Sequence, residues 1–398
     1  MTALKSTLGL VLALALAPNA TSIAQSPESA DACVQVFEEG VDYFEDKAEI
    51  TYAQNFSVAY RDNFKIVTVH EPFVGGVSQT YVLVKCGTPA PELLGELAGA
   101  TIIQTPVRSI FSASTTHNPM FDALGIVDRV IGVASLAYAT TPAILEAGAA
   151  GELIEFAATG ALDIEIVIDA GPDIFMTGGS DNSLYDVLTA AGVPIVANAE
   201  WLETSSLGRA EWLKFVSLFV DEEALATVVF DEIEASYLNA AAAIAGIEQS
   251  ARPLILAGSS FQGVFYASGG RSYVAQTIEA AGGRYVFSND TGTASIAFPD
   301  LEIVLDRAAD AAIWINSTIG YRTLADIVAD EPRLAALPSA QSGQVWNYDR
   351  IATPAGGVAF FELGVLRPDL VLRDMIEILH PGTLPGHEMT FYRPISLE

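Results

Sequence analysis

Apolar and polar positions divide the chain into three stretches of different rhythm. ITYAQNFSVAY (50–60), FKIVTV (64–69) and TYVLVKC (80–86) are short β-branched and aromatic runs, with turn signals at Asp62-Asn63 and Gly75-Gly76. They predict a β extension over residues 25–98, packed on the α/β region C-terminal to it. From about residue 99 the pattern alternates strand and helix. TIIQTPV (101–107) reads as a strand. NPMFDALGIVDRV (118–130) has helical spacing, with Met120, Leu124 and Val127 on one face. VIGVA, DIFMTGG and VPIVAN read as further strands, and ILEAGAAGEL, IEIVIDAG and SLYDVLTAAG as the helices between them. Such alternation predicts a parallel sheet flanked by helices.

The rhythm then breaks. Between Leu207 and about Ile247 there is no proline and no strand-like run. Ala210–Val220 reads as one helical segment, and Asp221-Glu222-Glu223 starts a second that runs to about Ala245. About 25 residues at 1.5 Å each reach roughly 38 Å, the width of a domain. After Pro253 the alternation resumes with PLILAGS, SYVAQTIEAAGG, LEIVLDRAAD, AAIWIN, TLADIVADEPRLAAL and GQVWNY, and ELGVLRPDLVLRDMIEILHP (362–381) forms a final helix. The predicted fold class is α/β: two lobes, each a mostly parallel sheet with flanking helices, joined by one long spine helix. The predicted segments are 1–24 signal peptide, 25–98 β extension, 99–218 N-lobe, 219–250 spine and 251–398 C-lobe.

A repeated phrase supports two lobes. IEIVIDAGPDIFM (164–176) and LEIVLDRAADAAI (301–313) align without a gap, pairing Glu165 with Glu302, Asp169 with Asp306 and Asp173 with Asp310. The spacing predicts one helix face carrying all three acids, followed by an apolar strand.

Charge narrows the function. Asp and Glu number 49 against 19 Lys and Arg, a net charge of −30. A surface this acidic repels phosphate backbones and anionic membranes, so no nucleic-acid partner is expected. The N-terminus carries Lys5, the apolar run Leu8–Ala17 and the small residues Ser22 and Ala24, the pattern of a signal peptide cleaved near Ala24. The expected location is periplasmic. Export permits a disulfide between the two cysteines, Cys33 and Cys86; in the chain-entropy picture it would contribute about 4 kcal/mol. A lipid-anchored Cys33 fits less well, because Ala30-Asp31-Ala32 lacks the usual apolar residue. Two cysteines cannot hold an iron–sulfur or four-thiolate site.

Several phrases together resemble the periplasmic substrate-binding proteins of ABC importers, in the helical-backbone class that serves iron–siderophores, haem and cobalamin. They are SASTTHNPMFDALGIVDRVIGV (112–133), LDIEIVIDAGPDIFMTGG (162–179), NAEWLETSSLGRAEWLKF (198–215), SGGRSYVAQTIEAAGG (268–283), VWNYDR (345–350) and RPDLVLRDMIEILHP (367–381). The resemblance covers about residues 100–385; the β extension falls outside the common core. It implies a monomer that holds a small-molecule ligand between its lobes, an iron chelate, haem or cobamide, with no resident cofactor and no catalytic residues. It also implies a membrane permease dimer as partner, engaged by one acidic residue per lobe; by motif position these are Glu165 and Glu302. Both also suit a first helical turn, where a carboxylate is favourable.

Ligand contacts are expected where strands end and loops face the cleft. Thr116 and His117 follow SIFSAS, and Tyr138 follows VIGVASL. Glu200 and Trp201 follow PIVANA. Arg209 either meets an anionic ligand group or pairs with Glu200 or Glu203. In the C-lobe the candidates are Phe261 and Tyr266 after PLILAGS, Arg271 at a helix start, Trp346 and Asn347 at a strand end, and Phe361. Each aromatic also has a core reading. A zinc- or manganese-binding protein of the related metal-importer class is the alternative. It is opposed by only four histidines, none in an H-x-H pair. A secreted enzyme is a further alternative, opposed by the absence of G-x-S-x-G, H-E-x-x-H and Walker-type motifs.

Overall fold

The structure, a computed structural model, describes residues 33–317 and 320–397. The signal-peptide expectation therefore lies outside the described residues. Among them, no helix is long and apolar enough to cross a membrane.

Cys33 is disulfide-bonded to Cys86. The bond ties the start of the described chain to the end of β3. Strands β1 (Phe56–Tyr60), β2 (Phe64–Val69) and β3 (Gln79–Lys85) form an antiparallel meander. β4 (Thr101–Thr105) joins this sheet in parallel beside β3. Here the structure departs from the sequence reading, which has TIIQTPV opening the N-lobe. Alternation identifies a strand but not the sheet it enters.

The N-lobe sheet is parallel throughout, in the order β7-β6-β5-β8-β9. Its strands are β5 (Ile110–Ser112), β6 (Val130–Val133), β7 (Ile154–Glu155), β8 (Ile174–Thr177) and β9 (Ile195–Ala197). Helices α1 (Asn118–Ala123), α2 (Pro142–Ala149), α3 (Ile164–Ala170) and α4 (Leu184–Ala190) connect them. The helix predicted over 210–220 is α6 (Trp212–Val220), preceded by a short helix, α5 (Ser206–Ala210), from which the buried Glu211 separates it.

Every residue of α6 is buried, because sheets cover it on both sides. Phe56 meets Trp212 and Phe215 edge-on at 4.8 and 5.4 Å, and Tyr81 meets Phe219 at 6.1 Å. Ile110, Ile174 and Val196 of the N-lobe sheet share the same core. The β extension is thus the outer layer that lets a largely apolar helix be buried on every side. Buried carboxylates strap it down. Glu211 accepts the backbone N–H groups of Thr51, Tyr52 and Ala53, and Glu203 those of Gln54 and Asn55. Lys65, wholly buried, pairs with Asp221 at 2.7 Å and Glu223 at 2.5 Å.

The spine is α7 (Glu223–Ala243), about 31 Å long. Ala226 and Ile233 of its first half lie in the N-lobe core; Ala240, just before its end, lies in the C-lobe core. The C-lobe sheet has the order β13-β11-β10-β14-β15-β16, with β12 also pairing β10. Its strands are β10 (Leu254–Phe261), β11 (Val264–Ser268), β12 (Arg284–Tyr285), β13 (Ser295–Phe298), β14 (Ile313–Ile315), β15 (Val345–Asn347) and β16 (Arg393–Pro394). Helices α8 (Tyr273–Ala280), α9 (Leu301–Arg307), α10 (Leu324–Asp330) and α11 (Pro338–Gln341) lie between them. β10, β14 and β15 run parallel like β5, β8 and β9. The repeated phrase therefore occupies matching places: α3 leads into β8, and α9 into β14. An aspartate caps each helix. Asp163 accepts from Glu165 N–H at 3.1 Å, and Asp300 from Glu302 N–H at 3.1 Å. The predicted acidic face is shorter than expected. α3 ends at Ala170 with Gly171 left-handed, so Asp173 lies beyond it and instead accepts the N–H groups of Arg108 and Ser109.

The predicted final helix is also broken. α12 (Leu363–Leu366) and α13 (Pro368–Leu379) meet at Arg367, where Pro368 cannot continue the preceding turn. α12 belongs to the other lobe: Val365 and Leu366 are buried in the N-lobe core, while Phe360 and Val371 on either side lie in the C-lobe core. After the spine, the chain thus returns to the N-lobe and leaves it again.

Candidate binding cleft between the lobes

β5 ends at Ser112, and the loop SASTTHNP turns back into α1. Ser114 accepts from Thr116 N–H at 3.3 Å and closes the turn. β6 ends the same way, with Ser135 accepting from Ala137 N–H at 3.3 Å. Hydroxyl-bearing loops therefore sit at the C-terminal ends of adjacent parallel strands, the usual ligand side of such sheets. Facing them is the C-lobe loop after β15. Between the two lies a cavity of about 450 Å³.

Ser112, Ser114, Thr115, Asn118, Ser135, Tyr138 and Phe361 supply its polar and aromatic lining, and Gly356 and Gly357 part of its C-lobe wall. No lining residue is charged. Tyr138 is 51% exposed and Phe361 40%. Phe361 is backed by Tyr348, ring centres 5.0 Å apart. At Gly357 a Cβ would lie 2.1 Å from the carbonyl oxygen of Tyr138, so only glycine allows the lobes this close.

The lobes touch on both flanks of the cleft. On one, Thr353 Oγ1 donates to Ala137 O at 2.7 Å. There the buried Glu362 accepts from Asn118 Nδ2 and from the N–H and hydroxyl groups of Thr140 and Thr141. On the other, Gln276 Nε2 donates to Thr204 O at 2.8 Å, Ser206 and Thr277 hydroxyls lie 3.0 Å apart, and Arg209 stacks on Tyr273 at 4.6 Å.

Of the residues singled out from sequence, Tyr138 and Phe361 are brought together at this cavity. Thr116 is beside it, its hydroxyl 2.9 Å from Ser114 Oγ. His117 lies beneath: it is wholly buried, with Nδ1 2.8 Å from Ser112 Oγ. Burial lowers its pKa to about 3, so it is neutral. Glu200 and Arg209 are buried and paired at 2.8 Å. Burial acts against the Arg209 charge, but Glu200 and Tyr273 outweigh it and hold its pKa above the ordinary value. Trp201 is part-exposed at the end of β9, its indole N–H shared between the carbonyls of Gly178 and Gly179.

The segment after PLILAGS is a hairpin, not a loop. β10 continues to Phe261 and turns at Gln262-Gly263, both with positive φ. Phe261 and Tyr266 are exposed on this hairpin, away from the cavity lining. Arg271 is exposed just before α8, capped by Ser272. Asn347 is buried and accepts from Ser317 Oγ at 2.8 Å; Trp346 packs on the C-lobe core. Glu165 and Glu302 are exposed at their helix starts, and Glu302 pairs with Arg333 at 3.2 Å. No cluster that could hold a metal ion is present among the described residues. Sequence reasoning passed over the serines and Glu362. The lone carboxylate in the apolar run VAFFELGVL was the available signal.

Known proteins share this architecture. The periplasmic binding protein family model matches residues 110–352, beginning at β5, after the N-terminal sheet. An uncharacterized lipoprotein of Methanocaldococcus jannaschii is 26% identical over 372 residues, covering 88% of this chain and 86% of its own. In this chain the cysteine of the described N-terminus, Cys33, is in the disulfide. A periplasmic heme-binding protein of Pseudomonas aeruginosa superposes with a TM-score of 0.57 at 17% identity, covering 73% of this chain and 98% of the other. A possible iron-binding periplasmic solute-binding protein of Staphylococcus epidermidis gives 0.54 at 16% identity, covering 69% and 100%. These likenesses establish the two-lobed solute-binding fold, and with the match over residues 110–352 they lead to one conclusion: the chain belongs to the periplasmic binding protein family.

Proposed function

We propose that the protein is the solute-binding component of an ABC importer and captures an uncharged metal chelate, a neutral iron–siderophore or a cobamide, for delivery to a membrane permease dimer. One observation carries this reading: the interlobe cavity is lined by hydroxyls and aromatic rings and by no charged side chain. Hydroxyls orient the polar face of such a ligand, and Tyr138 and Phe361 cover its apolar face. Haem suits the cavity less well, since its two carboxylates would find no cation in the lining. Glu165 and Glu302 are the docking acids in this reading, supported by their exposure and by matching aspartate caps.

Titration with a neutral ferric trihydroxamate, monitored by its visible band, tests the reading. Saturable one-to-one binding is expected, weakened about tenfold by Tyr138→Ala. No binding across a panel of neutral ferric chelates and cobamides would sink it.

A further inference from the structure

Glu362 is 1% exposed, and its carboxylate reaches across the lobe boundary. Oε1 accepts from Asn118 Nδ2 at 3.0 Å, Thr141 N–H at 3.0 Å and Thr141 Oγ1 at 2.6 Å. Oε2 accepts from Thr140 N–H and Thr140 Oγ1, both at 2.6 Å. Five donors from three N-lobe residues converge on one C-lobe side chain. Thr141 is the residue before α2, yet its hydroxyl does not cap that helix; it is given to Glu362. The carboxylate thus sits at the start of α2, where negative charge is favourable.

The residues that form the C-lobe side of the cavity, Gly356, Gly357, Val358 and Phe361, come immediately before Glu362. Val365 and Leu366, immediately after it, are anchored in the N-lobe core. The wall is therefore a short strap that packs on the C-lobe core through Val358, Ala359 and Phe360 and is tied to the N-lobe at its two ends, by Thr353 and by Glu362 with α12 behind it.

Resting on the binding role proposed above, we propose that Glu362 is a positioning residue for this cavity. It pins the wall 356–361, and the C-lobe edge on which that wall packs, to the N-lobe, so that ligand enters and leaves when this contact opens. Only a carboxylate satisfies the geometry. Each oxygen faces a backbone N–H, which cannot turn to accept, so an amide would set its own N–H₂ against one of them.

Glu362→Gln in the full chain tests this with two independent measurements. In the ligand-free protein, hydrogen exchange at the amides of 351–361 and 138–141 should speed up at least about tenfold, with the rest of the molecule unchanged. In stopped-flow binding of a neutral ferric trihydroxamate, both rates should rise, kon about threefold and koff about thirtyfold. General destabilisation does not raise kon. Uniformly faster exchange, or an unchanged kon, overturns the pin. Should Glu362→Gln fail to fold, Thr141→Ala removes one donor and should show the same local pattern, smaller in size; its absence there overturns the proposal equally. If the wild type binds no ferric chelate or cobamide, the binding role fails, and the exchange measurement still decides whether Glu362 holds the strap.

Discussion

His117 is the clearest case of a side chain whose surroundings reverse the role its type suggests. It leaves a strand end toward the cleft, as a ligand residue would, but the loop turns it inward against Phe121, where Nε2 finds no buried partner. Its pKa falls from 6.5 to about 3 because burial penalises the charged form. Between pH 6.5 and about 3 the unfolded chain binds a proton that the folded chain does not. Stability from this residue is fully present above pH 6.5 and drains away as pH falls, by up to about 1.4 kcal/mol per pH unit. Urea unfolding of His117→Gln at pH 7, 5 and 4 should show a shallower acid decline than the wild type. A parallel decline would mean that His117 is protonated in the fold.

α6 shows how a helix can be buried on every side when its neighbours arrive from distant parts of the chain. The N-terminal sheet that covers it is held at Glu211, whose carboxylate gathers three backbone N–H groups and Lys214. Glu211→Gln should therefore lower the unfolding free energy by about 3–5 kcal/mol, measured by denaturant titration. A loss under about 1 kcal/mol would show that apolar packing alone secures the sheet. Much of this layout was legible in the chain. Period-two runs marked the strands, alternation marked the lobes, and an unbroken helical stretch marked the spine. Pairing partners were not legible: Thr101–Thr105 reads equally well as either sheet's strand, since only the register with β3 decides. Nor was the break at Arg367, because a proline at a helix start and one within a helix differ only in the residues before them. At the cleft, sequence favoured bulky and charged side chains. The cavity is instead lined largely by small residues, Ser, Thr, Ala and Gly among them, that strand ends and turns bring together, and their number along the chain hides the few that matter.

At the scale of the whole molecule, the matching units α3 with β8 and α9 with β14 would give the proposed permease dimer two similar handles. α3 and α9 each run back along a parallel sheet, so their starts lie at the strand ends beside the cleft. Reversing charge at both, Glu165→Lys with Glu302→Lys, should leave chelate affinity nearly unchanged and abolish uptake in cells. Lost chelate binding in the purified double variant, or normal uptake, would remove their docking role. Arg333 already holds Glu302, so in the proposed docking a permease cation would have to displace it, a modest cost for so exposed a pair.

The return of α12 to the N-lobe also bears on the order in which the protein comes into being. Val365 and Leu366 complete a core whose other members begin at Ala48. A chain growing or threading from its N-terminus therefore has all five N-lobe strands long before it has the residues that seal them. The first lobe waits for the last tenth of the sequence, and a truncated chain cannot present a finished cleft.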